Sequence, residues 1–117
     1  MKTTNKIFLL GFVAQDPIDH DFENGTKCTN LVLKTLDHYG PSGEKKIDKN
    51  FHNLIMWNGK CEMASVLLKK GDLVYVEGSL KNKRTEGKNG SKATFKVEVV
   101  VNEWTKIPIV EQEEEKE

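Results

Sequence analysis

Phe51, Asn53, Ile55 and Trp57 stand at alternate positions in the most informative stretch of the chain, which runs on to Leu80. Side chains alternate across a pleated strand, so these four share one face while His52, Leu54 and Met56 share the other. A core accounts for one apolar face, not two. The face with Phe51 and Trp57 belongs to a chain rich in lysine, and rings among cations suit stacked bases and phosphates better than bulk water. That chemistry is recognition, not bond-making. No paired carboxylates, nucleophile–base pair or metal cluster stands out, so neither an enzyme, a cofactor nor a metal is expected. His20, His38 and His52 lack metal-ligand spacing. Cys28 and Cys61 are too few and too far apart for a disulfide framework or a zinc site, and both are read as small buried hydrophobes in a reducing compartment.

The elements that must position these residues follow from turn and periodicity signals. Residues 5–14 form a first strand, with Gly11 as a bulge or sharp bend, and Asp16-Pro17 ends it because proline lacks a ladder donor. Asn24-Gly25 is a turn signal. Residues 28–39 are a second strand, with Leu31, Leu33 and Thr35 on one face and Val32, Lys34 and Leu36 on the other. Residues 40–46 form a flexible, charged loop, and the third strand covers roughly 48–57. Asn58 is read as a helix cap, Lys69-Lys70-Gly71 as the helix end, and Met63, Val66 and Leu67 as the face that plugs a barrel. A fourth strand covers 72–84 with Val74 and Val76 inward and Gly78 allowing coiling. Gly87–Gly90 makes a hairpin tip, and a fifth strand covers 92–101, with Phe95, Val97, Val99 and Val101 on one face. Five strands with one short helix between the third and fourth give an all-β fold, a five-stranded OB-fold Greek-key barrel.

At 117 residues the chain is long enough for one core and not two. A hydrophobic fraction of 37% and a charged fraction of 31% describe a globular protein, yet the formal net charge of zero hides a segregation. Residues 111–117 hold five acids and one lysine, so 1–110 keep 17 basic against 13 acidic residues, a net of +4. The domain is placed at 1–107 and a short disordered acidic tail at 108–117. The apolar run near the start, IFLL followed by Gly11 and Phe12, reads as a buried strand and not a signal peptide, and no segment is long enough to span a membrane.

The ordered set NKIFLLGFVAQDP, NLVLKT, FHNLIMWNGK, LLKKGDLVYVEGSL and KVEVVVN resembles the bacterial single-stranded DNA-binding protein family over about residues 5–102. Asn58 looks like a one-residue insertion before Gly59. The resemblance implies a cytoplasmic, nucleoid-associated protein that binds and protects single-stranded DNA with little sequence preference in replication, recombination and repair. It further implies a homotetramer, with a dimer as the alternative. Tyr39, Phe51 and Trp57 match the family's base-stacking positions, with the identities exchanged, whereas a fourth such position is Thr85. Lys6, Lys60, Lys70, Lys81, Lys83 and Arg84 match its basic positions, and Lys34 joins them as a phosphate contact. Asn53 replaces a usual arginine. His52 matches a histidine of the family's subunit contacts, and Tyr75 is placed with it at the oligomer interface. The family's usual acidic tip closing on Pro-Phe has no match in the final Glu-Lys-Glu, so recruitment of replication proteins through such a tip is not expected. The alternatives are a primosomal-type OB-fold adaptor acting mainly through protein contacts, and an RNA-binding OB domain. Trp104 is expected to cover the barrel or an interface.

Overall fold

The computed structural model describes residues 1–40 and 46–109, with backbone alone at 60–62. Its strands are β1 (Ile7–Asp21), β2 (Lys27–Tyr39), β3 (Lys46–Trp57), β4 (Leu73–Thr85) and β5 (Thr94–Ile107), with helix α1 (Gly59–Leu67) between β3 and β4. The strands close into a barrel in the order β1-β2-β3-β5-β4. Every pairing is antiparallel except β3 with β5, where Leu54 and Ile55 meet Val99 and Val100.

Alternation decides what is inside. Leu31, Leu33, Leu54, Met56, Val74, Val76, Val99 and Val101 all point into the barrel and are buried there with Val13. Thr29 is the buried polar residue among them, and its hydroxyl donates to Asp19 Oδ1 at 2.6 Å, so the cost of taking it from water is offset. Trp104 packs against this cluster from the outer half of β5.

Proline does not end β1 as the sequence suggested. The strand changes partner, pairing with β4 through Ile7–Phe12 and with β2 from Phe12 onward, and its register shifts after Val13 and again after Gln15. Pro17 falls inside the second shift, where no ladder donor is needed. At the first, the loop after the helix takes over the backbone: Val13 N donates to Asp72 O and Gly71 N to Val13 O, each at 2.8 Å. Gly11 itself lies in regular register with Val74, so it is no bulge. Its lack of a side chain permits close approach, since a Cβ there would stand 2.3 Å from the Lys34 carbonyl oxygen.

The helix also departs from expectation. Ala64 and Leu68 are the buried plug, whereas Met63, Val66 and Leu67 are exposed. With only nine residues, α1 is too short for a broad stripe, and one small and one large side chain fill the barrel end. Asn58 makes no side-chain cap. Its backbone takes a φ of 54°, which Asn tolerates better than most residues, and its Oδ1 accepts from Lys27 N at 3.2 Å. Lys69 and Lys70 lie beyond the last turn, and Lys106 Nζ donates instead to the Leu67 carbonyl at 3.1 Å.

The fifth strand runs six residues further than expected because its far half pairs with β4 from Leu73 to Glu77. At its other end β5 extends with β4 beyond the barrel as an arm, so Phe95 and Val97 are exposed and only Val99 and Val101 of that row enter the core. The charged loop and the tail were expected at 40–46 and 108–117; all but Gly40, Lys46, Pro108 and Ile109 of these lie outside the described residues, as does the side chain of Cys61.

Candidate nucleic-acid interface

The outer face of the β2–β3 ribbon is the candidate site. Opposed residues on paired strands share a side, and the register sets Cys28 against Trp57, Asn30 against Ile55, Val32 against Asn53, Lys34 against Phe51 and Leu36 against Lys49. All ten stand on the side away from the core row of Leu31, Leu33, Leu54 and Met56. Phe51 and Trp57 are exposed by 60% and 39%. Six residues of strand separate them, roughly 20 Å, so they are two platforms and no single base touches both.

Two grooves follow this face. The first, of about 450 Å³, has Asn30, Val32, Asn53, Ile55 and Trp57 in its floor. Gln15, His20 and Phe22 wall it on the β1 side, and Lys83, Lys96 and Glu98 on the β4–β5 arm. Trp57 also borders a smaller recess with Lys81, Lys83, Glu98 and Val100. The second groove, of about 420 Å³, is lined by Phe12, Lys34, Leu36, Lys49, Phe51, Lys70 and Gly71. Each groove thus joins an exposed ring to lysines.

Lys83 and Lys96 face each other directly across the β4–β5 ladder. Like charges so placed repel, and neither has a carboxylate partner within 4 Å among the described residues. An anion set between them would relieve that repulsion. Lys70 lines the second groove, and its position is fixed by its backbone N, which donates to Asp16 Oδ1 at 2.8 Å.

Not every expected residue gathers here. Tyr39 is 57% exposed but opposes Lys46, which puts it on the other side of the ribbon from Phe51, and it lines neither groove. Arg84 also faces away from Lys83, with its guanidinium 5.9 Å from the Phe95 ring centroid and its Nε 3.3 Å from Glu86. Lys6 lies 6.0 Å from the Phe8 ring, on the β1–β4 surface. The side chain of Lys60 is outside the described residues. Of the two residues assigned to subunit contacts, His52 is half-buried with its Nε2 3.0 Å from Thr35 Oγ1. Tyr75 stacks on Phe8 at 6.5 Å and donates its hydroxyl to Glu77 at 3.1 Å. Partial desolvation and then the Glu77 carboxylate hold its phenol above the usual value.

Sequence reasoning missed Phe22, Lys49 and Lys96. For Lys49 the signal was present, since it shares strand parity with Phe51, whereas Lys96 is joined to the site only by the register that sets it opposite Lys83. Phe22 gave none, because it sits in a turn that only the fold brings over Trp57. Phe95 shares a strand face with the buried Val99 and Val101, yet it is 70% exposed beside Arg84 because the arm carries it beyond the barrel.

Residues 4–107 match the model of the single-strand binding protein family. The chain belongs to that family. Single-stranded DNA-binding proteins from two Neisseria meningitidis strains, of serogroups A and B, are each 31% identical over 100 residues, which is 85% of this chain and 57% of theirs. The chain therefore spans a little over half the length of these relatives. Among solved structures, a Plasmodium falciparum SSB in complex with ssDNA superposes with a TM-score of 0.82 at 23% identity, over 92% of this chain and 98% of that one. A deletion mutant of the single-stranded DNA binding protein from Thermus aquaticus superposes with a TM-score of 0.77 at 25% identity, over 90% and 51%. These agree with the OB barrel traced by the strand order. Among the described residues no His, Cys, Asp and Glu cluster could hold a metal, and no helix is long and apolar enough to cross a membrane.

Proposed function

We propose that this family member binds single-stranded DNA along the outer face of β2 and β3, without catalysing a reaction. The observation that carries the reading is the pairing, in each of two grooves, of an exposed ring with lysines that have no carboxylate partner among the described residues: Trp57 with Lys83 and Lys96, and Phe51 with Lys34 and Lys70. Bases stack on the rings regardless of identity, because every base has a π-face, and phosphates meet the lysines. Replication, recombination and repair are the settings this activity would serve.

A single barrel offers a short track, and we infer that copies associate through the β1–β4 surface. Phe8, Leu10 and the partly buried Tyr75 stand together there as an apolar patch on the face opposite the core. A tetramer would lengthen the track more than a dimer, and linked sites raise avidity without new contacts.

Titration with oligo(dT) tests the reading. Tryptophan emission is expected to fall as a base stacks on Trp57, while Trp104 against the core stays a constant background. Poly(U) is expected to compete less well than poly(dT). Emission that ignores both would place the function elsewhere.

A further inference from the structure

Phe22 is an aromatic ring of the groove wall that the proposed reading leaves without work. Its centroid lies 6.1 Å from that of Trp57 and the two rings are 24° from parallel. Aromatic pairs in contact span about 4.5–7 Å between centroids, so the two rings are stacked on each other toward the wide end of that range. A base between two rings needs two stacking steps of about 3.4 Å, roughly 6.8 Å in all. The ring centroids already stand nearly that far apart, and turning the two stacked rings face to face would open the slot between them.

Both rings stand on fixed backbone. Phe22 closes a tight turn: its N donates to Thr26 O at 2.8 Å, its O accepts from Gly25 N at 3.0 Å, and Asn24 Oδ1 accepts from Thr26 N at 3.0 Å. Trp57 is held by its pairing with Cys28, and the next residue, Asn58, is bonded to Lys27 through both backbone and side chain. Only side-chain rotation is then needed to admit a base, so little ordering cost falls on binding. The same groove is lined by Asn30 and Asn53, whose amides present both donor and acceptor to a base edge.

Building on that reading, we propose that Phe22 and Trp57 bracket a single nucleobase of the bound strand, with its edge toward Asn30 and Asn53. Phe22 is thus a second stacking surface and not a prop for the tryptophan. This gives the Trp57 end of the track a two-sided grip.

The test measures affinity for oligo(dT) and for an abasic deoxyribose-phosphate oligomer of equal length in the full chain and in Phe22→Ala, Phe22→Leu and Trp57→Ala. Phe22 is exposed in a turn, so unchanged thermal melting is expected in its variants. Leu keeps apolar bulk and removes the π-face. Phe22→Ala and Phe22→Leu are both expected to weaken oligo(dT) binding about five- to a hundredfold, the span of one lost stack. Binding of the abasic chain is expected to stay as it was. If Phe22→Leu binds oligo(dT) like the parent while Trp57→Ala does not, the bracket is overturned and the groove stands. If Trp57→Ala also binds like the parent, the groove reading itself fails.

Discussion

In the proposed reading Trp57 and Lys83 divide the work of binding between them. Stacking a base on Trp57 is worth about 1–3 kcal/mol by truncation, so Trp57→Ala is expected to weaken oligo(dT) by that amount at any salt concentration. Lys83 acts by releasing counterions, with a slope in log K against log salt of about −0.7 per phosphate on single strands. Lys83→Ala should therefore shallow that slope by about 0.7 in a salt titration. An unchanged slope would mean that Lys83 meets no phosphate. The same distinction explains what could be read in advance. Phe51 and Trp57 announced themselves by alternation within one strand, because parity is a local property. Tyr39 had the right type and the wrong parity, and Arg84 had the right charge but a partner in Glu86 that only the arm's geometry supplies.

The strands were legible because burial alternates along them: Leu31 and Leu33, Leu54 and Met56, and Val74 and Val76 each mark an inward row. Their ends were not. β1 and β5 both outrun their apolar patterns, since β1 changes partner at Val13 and β5 keeps pairing with β4 well past the core. Helix α1 was placed correctly and its buried face was not, as a short helix contacts the core at only Ala64 and Leu68. Gly78 illustrates a constraint that sequence only hinted at. It lies beside the register shift between Glu77 and itself, and a Cβ would come 2.3 Å from the Val100 carbonyl oxygen. Because the obstacle is backbone of β5 and cannot rotate away, Gly78→Ala is expected to cost about 1–3 kcal/mol, read as a lower denaturant midpoint. A midpoint unchanged would show that the strands can part there without penalty.

The barrel leaves two outer surfaces, and each has its own use in the proposed function. β2 and β3 carry rings among lysines and face the nucleic acid, whereas β1 and β4 carry Phe8, Leu10 and Tyr75 and face a second copy. Leu10→Glu puts a charge in the middle of that second patch. It is expected to shift the chain toward monomer in sedimentation while leaving the barrel folded, since Leu10 is exposed and on the side away from the core. Parent and variant of equal mass in solution would remove the patch from the assembly. Net charge spoke against nucleic acid as a single figure and for it once the acidic residues of 111–117 were set apart, and Lys34, Lys49, Lys70, Lys83 and Lys96 line the two grooves. The most direct measurement is the affinity for oligo(dT), at one fixed salt concentration, of the chain carrying Phe51→Ala and Trp57→Ala together. A loss of about 2–6 kcal/mol, two stacks at most additive, with melting unchanged, is the expected result. A folded double variant that binds as tightly as the parent would contradict the outer face of β2 and β3 as the track.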